Sequence, residues 1–308
     1  MGIVVIGAIF VDIKGYPDGV FIPNGRNVGR VEHVHGGVCR NVAEDIANVE
    51  LRPTFVSLID ESDVGAGVVR KLKKHQVNTD YIRVTPDGMG TWLVVFGNDG
   101  DVAASISKRP DLSPICDILD EQGDAIFRDA DSIVVEIDMD KEIIKRVFRL
   151  AQKYNKDVYA LVSNMSIAVE RRDFLQQTAC FICNQQEAGI LFSDNYMAKD
   201  AAQMEEILAQ KVRLAKIPRM VVTMGAQGAV YAQSDGVRGF CPARQVYVKD
   251  TAGAGDAFCA GAAIGLTYGK DLGQACEIGA HLAASVIMTS ENVCPRFLPA
   301  ELGLDVQL

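Results

Sequence analysis

The sequence has little of what would place this chain in a membrane, a disulfide scaffold or a nucleic-acid complex. No stretch approaches the roughly 20 consecutive apolar residues that a membrane-spanning helix needs. Basic residues are outnumbered, with 31 Lys and Arg against 40 Asp and Glu, which gives a net charge of −9. An acidic surface of this kind disfavours non-specific binding to nucleic acid or to anionic lipid. We therefore expect neither nucleic acid nor a membrane as a partner.

Signals for disulfide bonding and for export are also missing. The eight cysteines follow no disulfide spacing, and Cys180 and Cys183 form a single C-x-x-C with no second pair to complete a zinc site. The chain enters the apolar run Ile3–Ile6 at once, without the basic segment that opens a signal peptide. The sequence therefore predicts a cytoplasmic protein with reduced thiols.

Apolar runs of strand length alternate with segments of helical period, which is typical of a largely parallel sheet covered by helices. Their near-continuous hydrophobicity indicates strands that are buried on both faces. The predicted strands of this sheet are Ile3–Ile6, Thr54–Ile59, Ser132–Ile137, Val158–Val162, Cys180–Cys183 and Met220–Met224. We expect one α/β domain over residues 1–308.

Two segments break this alternation and predict a small second sheet. Val28–Val34 and Thr91–Ser107 have the pattern of half-buried antiparallel strands, and the second segment turns at Asn98-Asp99-Gly100. No helical segment follows either of them. We interpret them as a lid that is inserted into the main domain over about 11–35 and 89–107.

The strongest local chemical signal is the run Asp250-Thr251-Ala252-Gly253-Ala254-Gly255-Asp256. It follows a predicted short strand, Gln245–Val248, and leads into a helix that is rich in small residues. Small residues let a ligand approach the backbone, and the helix start offers unpaired N–H groups to an anion. Asp256 would stand beside that anion site, which suggests phosphoryl transfer with Asp256 as the base. The alternative is an Asp that only caps the helix.

Three common nucleotide-binding patterns are missing. Gly7-Ala8-Ile9 stands where a G-x-G-x-x-G would follow the first strand, which disfavours a dinucleotide-binding dehydrogenase. There is no Walker A sequence and no protein-kinase signature either.

Five motifs in a fixed order resemble the ribokinase-like, or PfkB-type, carbohydrate and nucleoside kinases. The resemblance covers essentially the whole chain and implies a three-layer α/β/α core with a central, largely parallel sheet and a small β lid. The motifs are Gly7–Asp12, Gly36-Gly37-Val38-Cys39-Arg40-Asn41, Asn184-Gln185-Gln186-Glu187, Thr223–Gly228 and Asp250–Asp256.

The resemblance assigns roles to individual residues and implies ATP and Mg²⁺ as cofactors. Asp256 is the general base, Ala254, Gly255 and Asp256 supply the anion hole, and Gly253 belongs to the same catalytic segment. The substrate-binding residues are Asp12, Gly36, Gly37, Asn41 and Asp138, with Glu136 as a competitor for the last position. The nucleotide-binding residues are Asn184, Thr223, Gly225, Gly228 and His281. Glu187 binds Mg²⁺ through water, and Asp250 and Ser290 fall where many members hold a monovalent cation, so K⁺ is a further candidate.

Several of these residues have a structural alternative. Asp12 can cap a loop, and Asn41 can be the N-cap of a helix that runs to Val49. Glu187 can be a first-turn carboxylate that the helix dipole favours. His281 can be a packed core residue rather than a ring that stacks on adenine.

The resemblance predicts ATP-dependent phosphorylation of a hydroxymethyl group on a sugar or nucleoside. Residues Gly36–Glu44 are more similar to the pseudouridine kinase branch than to ribokinases, so pseudouridine is the predicted substrate. A ribokinase-type sugar kinase and a sugar- or nucleoside-binding regulator without turnover are the alternatives. By resemblance to ribokinase, the lid also predicts a homodimer that is joined through Val28–Val34 and Thr91–Ser107.

Overall fold

Residues 2–98 and 102–306, which the computed structural model describes, form two β-sheets with helices around the larger one. The strands are β1 (Val4–Ile6), β2 (Phe10–Pro17), β3 (Gly29–Gly36), β4 (Thr54–Ile59), β5 (Ile82–Val84), β6 (Gly90–Phe96), β7 (Val102–Lys108), β8 (Ile133–Glu136), β9 (Val158–Leu161), β10 (Cys180–Asn184), β11 (Arg219–Thr223), β12 (Gly228–Gln233) and β13 (Arg238–Pro242). The α-helices are α1 (Val38–Asn48), α2 (Asp63–Lys74), α3 (Ile115–Arg128), α4 (Lys141–Tyr154), α5 (Met165–Ala168), α6 (Arg172–Leu175), α7 (Gln185–Phe192), α8 (Ala201–Ala215), α9 (Ala254–Thr267) and α10 (Leu272–Ile287).

The larger sheet has nine strands in the order β13-β12-β11-β10-β9-β8-β1-β4-β5. The strands from β11 to β5 are parallel, and β12 and β13 form an antiparallel edge. One apolar core joins the sheet to α3, α4 and α8, and a second core joins its other face to α1, α2, α9 and α10. This arrangement confirms the predicted three-layer α/β/α fold.

All six apolar runs that were predicted as strands of this sheet are strands in it. The prediction of a strand at Gln245–Val248 is wrong, because this segment is irregular. Tyr247 is 84% exposed and has no strand beside it, while Val246 and Val248 line a cavity instead. The apolar pattern there comes from the cavity wall and not from a sheet.

The smaller sheet has four strands in the order β3-β2-β6-β7. Strand β2 pairs antiparallel with β3 and parallel with β6, and β6 pairs antiparallel with β7. Sequence reasoning identified β3, β6 and β7, and it included most of β2 in the lid region from about residue 11 without giving this strand bounds of its own. Asp99 and Gly100 of the predicted turn lie outside the described residues. None of the described helices is long and apolar enough to cross a membrane.

Candidate active site

The Gly-rich segment before α9 forms a tight turn against the C-terminal part of the chain. Gly253 is the N-cap of α9 with φ 81°, and a Cβ on it would lie 2.0 Å from the carbonyl oxygen of Asn292. Only glycine fits this position without moving that backbone. Asp256 lies in the first turn of α9, three residues after the N-cap, so the alternative reading of Asp256 as a cap is wrong.

Asp256 is joined to the second substrate motif by a direct hydrogen bond. The Asn41 Nδ2 atom donates to Asp256 Oδ2 at 2.6 Å. Burial raises the pKa of Asp256 from 3.8 to about 7, and Asp12 and Glu187 add to this, while Asn41 and Arg40 oppose it. A carboxyl group with a pKa near the working pH suits a general base. Asn41 lies inside α1, which begins at Val38, so it is not an N-cap.

Asp12 and the two adjacent glycines meet where the lid joins the main domain. Asp12 belongs to β2 rather than to a loop, and a Cβ on Gly36 would lie 2.6 Å from its Oδ1 atom. Gly37 is the N-cap of α1 with φ 100°, and a Cβ there would lie 2.6 Å from the Ala8 carbonyl oxygen. Burial raises the pKa of Asp12, against the opposing charges of Lys14 and Arg40. The pair of glycines therefore lets α1 start directly beside this carboxylate.

Asn184 and Glu187 form a reciprocal capping box at the start of α7. Asn184 Oδ1 accepts from the Glu187 N–H at 2.8 Å, and Glu187 Oε2 accepts from the Asn184 N–H at 2.7 Å. The alternative reading of Glu187 as a capping carboxylate is thus correct for one of its oxygens. Burial raises the pKa of Glu187, and the Asn184 N–H opposes this shift.

Asp138 is placed differently from the other predicted substrate residues. Its carboxylate is fully buried and accepts from the Ser163 N–H and hydroxyl at 3.0 and 2.9 Å, and from the Asn164 N–H at 3.2 Å. Arg109 approaches the same group at 3.3 Å. Its competitor Glu136 accepts from the Ala8 N–H at 3.0 Å, and burial next to Asp138 raises the pKa of Glu136 to about 7. Neither placement supports the prediction that Asp138 binds substrate directly.

The predicted nucleotide-binding turn lines a cavity of about 330 Å³. Thr223 ends β11, and Gly225 and Gly228 form the turn into β12. They face Ala254 and Gly255 at the start of α9 across the same cavity. The remaining wall is mostly apolar and comes from residues that sequence reasoning did not select: Val246, Val248, Phe258, Ala280, Ala283, Ala284 and Ile287. The small residues at i, i+3 and i+4 of α10 were the available signal for this wall.

His281 is not brought to this cavity. Its ring meets Phe297 edge-on with centroids 5.1 Å apart, and it lines a separate groove with Arg244 and Glu277. Burial lowers the pKa of His281. The alternative of a packed histidine therefore fits better than stacking on adenine.

The predicted monovalent-cation residues lie beside the end of α10. Asp250 Oδ1 accepts from the Ala252 N–H at 2.9 Å, and the Lys249 and Asp250 N–H groups donate to the Ile287 carbonyl at 2.7 and 3.3 Å. Ser290 follows three residues after Ile287 and is exposed. In residues 2–98 and 102–306, no group of three or more His, Cys, Asp or Glu side chains is placed to hold a metal ion.

Comparisons with known proteins agree with this geometry. The pattern that defines the pfkB family carbohydrate kinases matches residues 2–295. The chain is 33% identical over 302 residues to the guanosine-inosine kinase of Exiguobacterium acetylicum, which covers 97% of this chain and 98% of that protein. It is 25% identical over 267 residues to the pseudouridine kinase of Escherichia coli K12, which covers 85% of this chain and 82% of that protein.

The fold is also that of a solved kinase structure. The structure of Arabidopsis thaliana ribokinase complexed with ribose and ATP matches with a TM-score of 0.83 and 19% identity, over 97% of each chain. The predicted resemblance is therefore confirmed. The chain belongs to the pfkB family of carbohydrate kinases, and it is a kinase of a sugar or a nucleoside.

Proposed function

We propose that the protein transfers the γ-phosphoryl group of ATP to the 5′-hydroxyl of a ribonucleoside, with 6-oxopurine nucleosides of the guanosine and inosine type as its substrates. The observation that carries the reaction is the Asn41–Asp256 pair at the start of α9. Asp256 would accept the proton of the attacking hydroxyl, while the N–H groups of Ala254, Gly255 and Asp256 would stabilise the charge on the phosphate. Asp12 and Asn41 offer the polar atoms that ribose hydroxyls need.

Mg²⁺ would reach the site with the phosphates of ATP. Magnesium keeps most of its water and is commonly held by one or two carboxylates and by substrate phosphates. Glu187 uses Oε2 in the capping box, which leaves Oε1 to accept from a metal-bound water. A K⁺ site at Asp250 and Ser290 is part of the same proposal, and replacement of K⁺ by Na⁺ in the assay tests it. We also expect a cytoplasmic protein.

A nucleobase would fit on the lid face that carries Asp12. Asp12, Trp92 and Ser107 pair directly across β2, β6 and β7, so their side chains share one face of the sheet. This face is turned toward the start of α1, which carries Asn41, because Asp12 Oδ1 lies 2.6 Å from the position of a Cβ on Gly36. Trp92 is the single tryptophan of the chain and is half-buried. Stacking of a base on an aromatic ring contributes about 1–3 kcal/mol.

Arg109 would supply the polar contact to the base. It follows β7 and reaches Asp138 at the carboxyl end of β8, and its side chain remains 39% exposed. A guanidinium group only donates hydrogen bonds, and O6 and N7 of guanine are its commonest base partners. Hypoxanthine presents the same two acceptors, whereas adenine presents an amino donor at position 6. This chemistry, together with the 33% identical relative, favours guanosine and inosine.

Pseudouridine remains the second candidate, because the pseudouridine kinase of E. coli covers 85% of this chain at 25% identity. Uracil also has carbonyl acceptors that Arg109 can contact. A ribokinase-type sugar kinase needs neither Trp92 nor Arg109 at these positions. A regulator that binds without turnover would release no ADP.

Initial rates of ADP release with inosine, guanosine, adenosine, pseudouridine, uridine and ribose test the proposal. We expect kcat/KM for inosine and guanosine to exceed the value for ribose by about a hundredfold or more, because polar groups of a base site are left unpaired by ribose. A preference for pseudouridine over both purine nucleosides would move the assignment to the second candidate. Equal values for inosine and ribose would contradict a nucleoside kinase.

The variant Arg109→Met tests the base contact. We expect the inosine-to-adenosine ratio of kcat/KM to fall by about 5- to 150-fold, as loss of about 1–3 kcal/mol of discrimination predicts. Arg83→Met is the matched control, because Arg83 pairs with Glu121 on the surface and its side chain is similarly exposed at 34%. An unchanged ratio in Arg109→Met would remove this residue from base recognition.

The homodimer also remains a proposal, and the lid face opposite Asp12 supports it. Ile13, Leu93 and Ile106 pair directly across three strands on that face. Leu93 and Ile106 are 42% and 69% exposed, and an exposed apolar sheet face of this kind is usually covered. Light scattering should give twice the chain mass of 33.3 kDa, and Ile106→Asp should give monomers. The control Val237→Asp lies in the exposed β12–β13 turn and should remain dimeric.

A further inference from the structure

Arg40 is a cation with no exposed surface, one residue before Asn41 in α1. Its Nη1 atom lies 2.5 Å from Oε2 of Glu44, which is also fully buried. The other oxygen of Glu44 lies 3.0 Å from Nζ of Lys71 and 3.6 Å from Nε2 of His75 at the end of α2. A buried guanidinium is tolerated only with such partners. The charged groups around Glu44 therefore hold Arg40 in one position.

The other side of the Arg40 guanidinium faces the substrate site. Its Nη2 atom donates to Asn292 Oδ1 at 3.4 Å and also to the carbonyl oxygen of His35. The Nε atom approaches the Gly36 carbonyl oxygen at 3.5 Å. Arg40 thus contacts the end of lid strand β3 and the segment after α10 at the same time.

Asn292 continues this chain of contacts to the general base. Its Nδ2 atom donates to Asn41 Oδ1 at 3.3 Å and to the His35 carbonyl at 2.9 Å. Asn41 in turn donates from Nδ2 to Asp256 Oδ2 at 2.6 Å. The order is therefore Arg40, Asn292, Asn41 and Asp256, with one hydrogen bond at each step.

The chemistry of these groups fixes which atom donates and which accepts in each hydrogen bond from Arg40 to Asp256. A side-chain amide can present either its oxygen or its NH₂ group, whereas a guanidinium only donates. Arg40 therefore requires the oxygen of Asn292 on its side, which turns the NH₂ group of Asn292 toward Asn41. Asn41 must then accept with its oxygen, which turns its own NH₂ group toward Asp256.

We propose that Arg40 is a positioning residue that fixes the orientation of the Asn292 and Asn41 amides, so that Asn41 donates a hydrogen bond to the ionised form of Asp256. If Asn41 were reversed, its oxygen would face the carboxylate and oppose ionisation of the base. Arg40 would act without touching the substrate. The proposal concerns the base itself and does not depend on which nucleoside is phosphorylated.

Two variants interrupt this series of hydrogen bonds at different steps. Asn292→Ala removes the amide that joins Arg40 to Asn41. Arg40→Lys keeps the buried charge but loses the guanidinium group, which contacts Glu44 and Asn292 at the same time. Arg296→Lys is the control, because Arg296 lies on the same C-terminal segment, pairs with Glu50 at 3.5 Å and is 57% exposed.

The informative readout is the acidic limb of the pH profile of kcat/KM, which reports the base of the free enzyme. The other titratable groups that interact with Asp256 are Asp12 on β2, Glu187 on α7, Cys39 and Asp45 on α1 and Cys259 on α9, and neither variant replaces any of them. Loss of a hydrogen bond to a charged group should raise the pKa of the base. The acidic limb of the kcat/KM profile of Asn292→Ala should therefore lie about 1–2 pH units higher than that of the parent protein. Below the limb, kcat/KM should therefore fall by about 10- to 100-fold.

Non-additivity provides the second criterion. If both residues act through Asn41, the double variant should shift the limb no further than Asn292→Ala alone. The pH dependence of the free energy of unfolding reports the same ionisation without substrate, so the test remains valid if the proposed nucleosides are wrong. The proposal would be overturned if the variants unfolded at a lower temperature but had the same acidic limb as the parent protein and Arg296→Lys. Arg40 would then be only a member of a buried ion pair.

Discussion

The substitution Asp256→Asn separates two properties of Asp256: the stability that the protein loses when this carboxyl group ionises, and its role as the general base. Asparagine has the shape of aspartate, and its Oδ1 atom can accept the hydrogen bond that Asn41 donates to Asp256 at 2.6 Å. The substitution therefore removes the ionisable group and leaves the packing of α9 in place. It should reduce kcat by roughly 10²–10⁴, which is the usual contribution of general-base catalysis.

The same substitution should stabilise the protein above neutral pH. Burial raises the pKa of Asp256 from 3.8 to about 7, so the folded state holds this proton more tightly than the unfolded state does. Its contribution to stability is fully present below about pH 4 and is lost as the pH rises to about 7. At 1.36 kcal/mol per pKa unit the loss is at most about 4 kcal/mol. Because the carboxyl group is only partly buried, we expect solvent screening to leave about 1–2 kcal/mol.

Urea unfolding between pH 4.5 and 8.5 measures this difference. The free energy of unfolding of Asp256→Asn, relative to the parent protein, should increase up to about pH 7 and remain constant above it. Asp235→Asn makes the same atomic change at an exposed position, where Asp235 Oδ1 accepts from the Val237 N–H at 3.1 Å. A difference for Asp256→Asn that does not depend on pH would refute the reasoning, and retention of more than half the activity would refute the assignment of the base.

Three further substitutions test neighbouring parts of the site. A Cβ on Gly255 meets no atom within 4 Å, so Gly255→Val should keep the melting temperature within a few degrees of the parent while ADP release is lost, and a normal rate would place the anion hole elsewhere. Gly253→Ala should instead lower the melting temperature, because its Cβ would lie 2.0 Å from the Asn292 oxygen; an unchanged melting curve would contradict this. Glu187→Gln can keep the capping box and should raise the Mg²⁺ concentration for half-maximal rate, whereas an unchanged titration would leave Glu187 with only its capping role.

The sequence was sufficient to predict the layers of the fold and most of the site. Buried parallel strands are apolar along their whole length, so β4 and β8 to β11 are visible as runs, and the motifs at Gly36 and Asp250 are local in sequence. The structure brings Asn41 and Asp256 into contact across 215 positions. Such a contact follows from the resemblance to the kinase family, and no periodicity or spacing indicates it.

The sequence was insufficient where the role of a residue depends on burial or on a distant partner. Asp12 lies in a strand and Asp138 just after one, but the carboxylate of Asp138 is already occupied by three donors, the Ser163 N–H and hydroxyl and the Asn164 N–H. His281 lies on the expected helix, yet its ring faces Phe297 and not the cavity. Asn292 had no motif to mark it, because its contact with Arg40 joins positions that are 252 residues apart.

The electrostatics of the candidate site also lead us to expect that the enzyme needs a cation. Burial raises the pKa of Asp12, Glu187 and Asp256, and the charges of Asp12 and Glu187 both act on Asp256. An anionic nucleotide adds to this negative charge, and low-dielectric surroundings strengthen the repulsion. Arg40 opposes it from inside the protein, but it is already paired with Glu44. We therefore predict that the reaction requires a cation that arrives with the phosphates, and Mg²⁺ would fill this role through a water bound by Glu187.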